Sequence, residues 1–166
     1  MSLRLSIMLV LACGLAAACR KLTSSDHAGL ALVREYAQRD ARGEFAGVSK
    51  WYDSVTQFGR DVQGWDEGAV VRSYSVSPLY LGADSGVVEV SYDQLAVIGG
   101  DGAGGVQITY RDTSYADTFA VRLTQRGWRI VRPILPPHTL ADIVAQGPSL
   151  TPPQRTQLLA AKDRRH

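Results

Sequence analysis

The sequence predicts an α+β domain in which amphipathic helices precede a curved antiparallel sheet, and three observations lead there. Apolar residues first recur at helical spacing, at Leu30, Val33, Ala37 and Ala41. The period then changes to two, with Val88, Val90 and Tyr92 alternating with Glu89, Ser91 and Asp93, the pattern of a half-buried strand. Finally, Gln125, Arg126 and Gly127 alone separate two alternating runs, and strands joined by so short a turn are antiparallel. Helices followed by a meander bury their apolar faces on one side of the sheet.

The elements follow in chain order. Ser24, Ser25 or Asp26 is placed to cap the first helix, and Gly43 suits its C-terminal end. A second helical pattern places Phe45, Val48, Tyr52 and Val55 on one face, with Gly59 after it. Strands are predicted over 70–81 and 87–97, joined by the turn "GADSG" at 82–86. Two further strands are expected over 106–112 and 118–124, the latter with Phe119, Val121 and Leu123 on one face, before the hairpin into "WRIVRPI". The prolines after it end regular pairing. A short helix is then expected over 140–146, with Thr139 and Asp142 as its capping pair and Gly147 stopping it. A last helix carries Thr151 as cap, Pro152 at the first helical position and Gln154 as the reaching partner, with Leu158 and Leu159 free to dock.

The N-terminus has a different character. An apolar run from Leu5 to Ala18, interrupted only by Ser6, follows the single charge Arg4. It is shorter than the about 20 residues that span a bilayer and has the parts of a secretory signal peptide. Its end, "LAAAC", resembles the lipobox of bacterial lipoproteins, with Ala16 where leucine is usual. The resemblance implies cleavage before Cys19 and acylation of that cysteine. Small residues also mark ordinary cleavage sites, so a signal peptide cut by the general peptidase is the alternative. The organisation expected is a signal peptide over 1–18, a lipidated cysteine and tether over 19–25, a folded domain over 26–136 and a helical extension over 137–166. Arg20, rather than aspartate, follows the cysteine, and by resemblance to enterobacterial sorting this implies the outer membrane, facing the periplasm.

Composition excludes several functions. Of the 18 Lys and Arg residues only Arg4 lies within 1–18, leaving 17 basic against 16 acidic side chains. So even a balance argues against a nucleic-acid partner. No cysteine remains beyond Cys19 for a disulfide, and no pair among His27, His138 and His166 has metal-ligand spacing, so no metal or cofactor is expected. The run "GGDGAGG" at 99–105 lacks the Lys and Ser or Thr of a phosphate loop, and no "GxSxG" is present.

The order helix, "RGEF", helix, then strands closing in "TFAVRLTQRGWRIV" resembles the nuclear transport factor two-like cone fold, which includes SnoaL-like cyclases and ketosteroid isomerases. The resemblance covers roughly 26–136 and implies a tryptophan, here Trp128, packed into the cone; we expect it against Phe119 and Val90. Strand parity groups Val88, Val90 and Tyr92, then Ile108, Tyr110 and Asp112, then Trp128, Ile130 and Arg132. These groups are expected to line one mostly apolar interior, with Tyr92, Tyr110, Trp128 and Arg132 as candidate ligand contacts. The leading expectation is a noncatalytic domain that binds a small apolar molecule or an envelope protein. The runner-up is an isomerase, cyclase or hydratase with Asp112 as base and Tyr92 or Tyr110 as hydrogen-bond donor. Cone domains of this superfamily often pair through the outer sheet face, which implies a homodimer.

Overall fold

The computed structural model describes residues 27–45, 49–57 and 66–164. Segment 1–18, Cys19, the tether, Asp26, Val48, Gly59 and His166 lie outside the described residues. The elements are α1 (Ala28–Ala41), α2 (Lys50–Val55), β1 (Glu67–Leu81), β2 (Ser85–Gly100), β3 (Val106–Thr124), β4 (Gly127–Arg132), β5 (His138–Leu140), α3 (Ala141–Gln146) and α4 (Pro152–Asp163). The strands form one curled, mixed five-stranded sheet in the order β4-β3-β2-β1-β5. All neighbours are antiparallel except β5, which runs parallel to β1 over Ala69–Val71.

Helix α1 forms where the apolar spacing puts it, but its cap differs from the residues expected. His27 is the N-cap, its Nδ1 accepting the Gly29 N–H at 3.1 Å. The ring is held for that role by the Gly82 carbonyl, 2.7 Å from Nε2, and by an edge contact with Trp128. Gly29 is required in the first turn, because a Cβ there would lie 2.8 Å from Val121 and 3.0 Å from the Trp128 ring. At the other end Gly43 takes a left-handed φ of 75°, as a helix C-terminus requires. The second helix is shorter than its apolar pattern because it begins only at Lys50, capped by Ser49, and Thr56 leaves it to bridge Ile130 of β4.

The strands expected over 106–112 and 118–124 are one. The polar stretch between them, from Thr113 to Asp117, pairs continuously with Val90–Gln94. The segment after Pro136 is no appendage either, since β5 extends the sheet. Thr139 therefore belongs to a strand, and α3 begins at Ala141 after Leu140, an N-cap that makes no side-chain hydrogen bond. The capping box of Thr151 and Gln154 forms as its spacing demands.

The sheet is covered on both faces. Leu30, Val33, Tyr36 and Ala37 of α1 pack with Val71, Val88, Val90, Tyr92, Phe119 and Val121. Ala141, Ala145, Leu158 and Ala161 of α3 and α4 pack with Val70, Leu95 and Ala96, joined by Ile98, Val106 and Ile108. Consecutive Val70 and Val71, both fully buried, mark where the two covers overlap across the sheet.

This two-sided burial corrects the expected single interior. The register between β2 and β3 shifts at Leu95, so Tyr92 faces Tyr115 while Ala96 faces Tyr110. A bulge moves subsequent side chains to the other face of a strand. Val88, Val90 and Tyr92 point towards α1, whereas Ile108 belongs to the cluster under α3 and α4. Tyr110 is 37% exposed, Arg132 is exposed, and Trp128 sits half-buried at the rim beside His27 and Val121. Of the expected interior contacts only Tyr92 is fully buried beneath α1.

Candidate functional site

The most concentrated chemistry lies beneath α1 and joins residues far apart in sequence. Asp40 lies on the apolar stripe of α1, and both it and His138 are 2% exposed. The His138 backbone N–H donates to Asp40 Oδ1 at 3.0 Å, and its ring Nδ1 lies 3.3 Å from Oδ2, off the line of a hydrogen bond. On the other side of the ring, Nε2 is 2.8 Å from the Tyr115 hydroxyl. The Asp40 carboxyl and the Tyr115 hydroxyl thus bracket the imidazole at its two ring nitrogens. Tyr92 stacks on the imidazole, centroids 4.1 Å apart and planes 16° apart. Its own hydroxyl is buried with no hydrogen-bond partner among the described residues.

Burial governs the protonation states here. It pushes the Asp40 carboxyl upward, with His138 and its backbone N–H pulling part of the way back. Burial also raises the Tyr36 and Tyr92 phenols well above their usual range and pushes Tyr115 up to about 12. Asp117, next on the same face of β3, is raised by burial and partly offset by His138. The phenols are therefore neutral hydrogen-bonding groups at neutral pH and do not serve as bases.

A pH dependence follows. A carboxyl whose folded pKa exceeds its unfolded value contributes stability that is complete below the unfolded value of 3.8 and is lost as pH rises through the folded one. Asp40 and Asp117 act in the same direction. The urea midpoint is expected to fall as pH rises above 3.8, and Asp40→Asn is expected to flatten that slope. An unchanged slope in the variant would contradict the assignment.

Asp112 is placed elsewhere, on the sheet face beneath α4. The Arg72 guanidinium grips it with two hydrogen bonds, Nη1 to Oδ1 at 2.6 Å and Nη2 to Oδ2 at 2.8 Å. Nη1 also reaches Asp93 at 3.1 Å, and Nη2 lies 3.5 Å from the Ala161 carbonyl of α4. Arg72 occupies an irregularity in β1 between Val71 and Ser73, which turns its side chain to this face. Asp112 keeps 40% of its side chain exposed. It is thus held by a cation at the solvent boundary, away from the tyrosine–histidine cluster.

The sheet also carries a shallow depression lined by Ser73, Ser75, Ser91, Asp93, Ser114 and Ala116, with Tyr74, Tyr92 and Tyr115 between them in one cross-strand row. Among the described residues no three His, Cys, Asp or Glu side chains gather as a metal-ligating group. No described helix is long and apolar enough to cross a membrane.

Tyr92 alone of the expected site residues joins the buried cluster, and Asp40, His138, Tyr115 and Arg72 were not anticipated. Asp40 did carry a signal: an acid three positions after Ala37 on an otherwise apolar helical stripe. The chain matches no family model, no curated protein and no solved structure.

Proposed function

We propose that this chain is an exported envelope protein, acylated at Cys19 and held on the periplasmic face of the outer membrane, whose cone-like domain binds without transforming what it binds. Export and anchoring rest on the apolar run, the small residues and the cysteine of segment 5–19. The noncatalytic half rests on the filled interior: Val88, Val90 and Phe119 have no exposed surface, while Leu79 and Tyr80 are each 58% exposed. Contact with an envelope component is therefore favoured over enclosure of a small apolar ligand. A homodimer through the outer sheet face belongs to the same proposal.

The runner-up, an isomerase, cyclase or hydratase using Asp112, has less support. A base needs a substrate beside it in a water-poor pocket, and Asp112 is ion-paired to Arg72 at the surface. Asp40 and His138 have the burial, but each has 2% of its side chain exposed and offers a substrate no approach.

Mass spectrometry of the chain purified from bacterial membranes tests the proposal. The expected result is an N-terminus at Cys19 bearing acyl chains, abolished by Cys19→Ser, and no stoichiometric small molecule. An unmodified N-terminus would sink the anchor. A copurifying small molecule, together with turnover lost in Asp112→Asn, would establish the enzyme instead.

A further inference from the structure

One end of the domain collects exposed apolar and basic side chains where the chain enters the fold. The β1–β2 turn and the β3–β4 turn lie side by side, because Ser85 faces Arg122 and the Leu123 N–H donates to the Asp84 carbonyl at 2.7 Å. Leu79 and Tyr80 (58% exposed) precede the first turn, and Leu123 (45% exposed) precedes the second. β1 and β3 flank β2, so these residues sit at the same end of the sheet, about 10 Å apart across it. Arg122 and Arg129 face each other across β3 and β4, with Arg126 in the turn, and none of the three is ion-paired among the described residues. Asp84 is the acid at this end, and Glu89 lies further along β2.

The first described residue lies here too: His27 is bound to the Gly82 carbonyl and edges onto Trp128. The eight residues from Cys19 to Asp26 reach at most roughly 29 Å. Two of them, Arg20 and Lys21, add positive charge next to Cys19.

We propose that this end is a docking face for an anionic lipid bilayer. Leu79, Tyr80 and Leu123 enter the headgroup boundary while Arg122, Arg126 and Arg129 lie against lipid phosphates. Apolar side chains framed by arginine suit that boundary, since the apolar parts are buried and the charges meet an oppositely charged surface. The acylation of Cys19 proposed above would bring this end to the bilayer, although the charge and apolar arguments stand on the folded domain alone.

The test is hydrogen exchange of the full chain on vesicles, one set of zwitterionic lipid and one with a third of anionic phosphatidylglycerol. Protection of residues 79–86 and 122–128 is expected on anionic vesicles only, with the 100–106 loop unchanged. It should weaken about fivefold for each arginine neutralised and be lost in Arg122→Glu/Arg126→Glu and in 0.5 M salt. Equal exchange on both vesicles, or protection that depends on protein concentration without lipid, would overturn the proposal. Intact mass at Cys19, measured on the same sample, reports separately on the anchor.

Discussion

Replacing His138 with alanine is expected to lower the stability of the domain by about 3–5 kcal/mol, the cost of emptying a large buried ring site. The loss has identifiable parts. Asp40 would keep its burial but lose the imidazole that lies 3.3 Å away, and the Tyr115 hydroxyl would lose its 2.8 Å partner. Tyr92 would lose the ring it stacks on. Domains of this size are commonly stable by only about 5–15 kcal/mol, so the variant is expected to be partly unfolded at body temperature. Urea unfolding measures the effect, and a double-mutant cycle with Asp40→Ala isolates the pair: removing both should cost clearly less than the two single losses added. A loss below about 1 kcal/mol for His138→Ala would mean that the pair contributes no more than an exposed one.

Phe119→Ala is expected to cost a similar amount, about 3–5 kcal/mol, as do other large cavities cut in packed cores. Phe119 has no exposed surface, faces Val88 across the strands and has the Tyr36 ring at 5.3 Å. Trp128 is larger but half-exposed at the rim, so much of its truncated volume would fill with solvent rather than remain a void. Trp128→Ala should therefore cost less than Phe119→Ala. The reverse order of melting temperatures would show that the rim, rather than the centre of the sheet, carries the packing.

Local pattern in the chain specifies most of the elements, because helical and strand periods and turn residues act between neighbours. The stripe from Leu30 to Ala41, the alternation from Val88 to Tyr92 and the Thr151–Gln154 box all appear where their spacing places them. What the pattern does not carry is face assignment after an irregularity. Two residues of β3, Arg111 and Asp112, stand opposite the single Leu95, so Ile108 lies on the side opposite Tyr92, and nothing in the local alternation marks that step. The polar run through Ser114 reads as a break because an exposed strand segment need not be apolar. The site was harder still, since its members come from α1, β2, β3 and β5. Only the acid on the stripe of α1 hinted that an imidazole or guanidinium from elsewhere had to meet it.

The meeting of Asp40 with His138 across 98 residues also sets an order of events in folding. The three long strands follow one another through short connections and need little loop closure to find one another. β5 must wait until the chain has passed β4 and returned to the opposite edge of the sheet beside Val70. Contacts of such long sequence separation form late, because their closure entropy is offset only once the rest of the sheet exists. Until then the Asp40 carboxylate has no imidazole and gains by staying in water, which keeps the stripe of α1 from sealing. A chain stopped short of residue 138 leaves the Asp40 carboxyl of its first helix without the backbone N–H and imidazole that meet it in the complete fold.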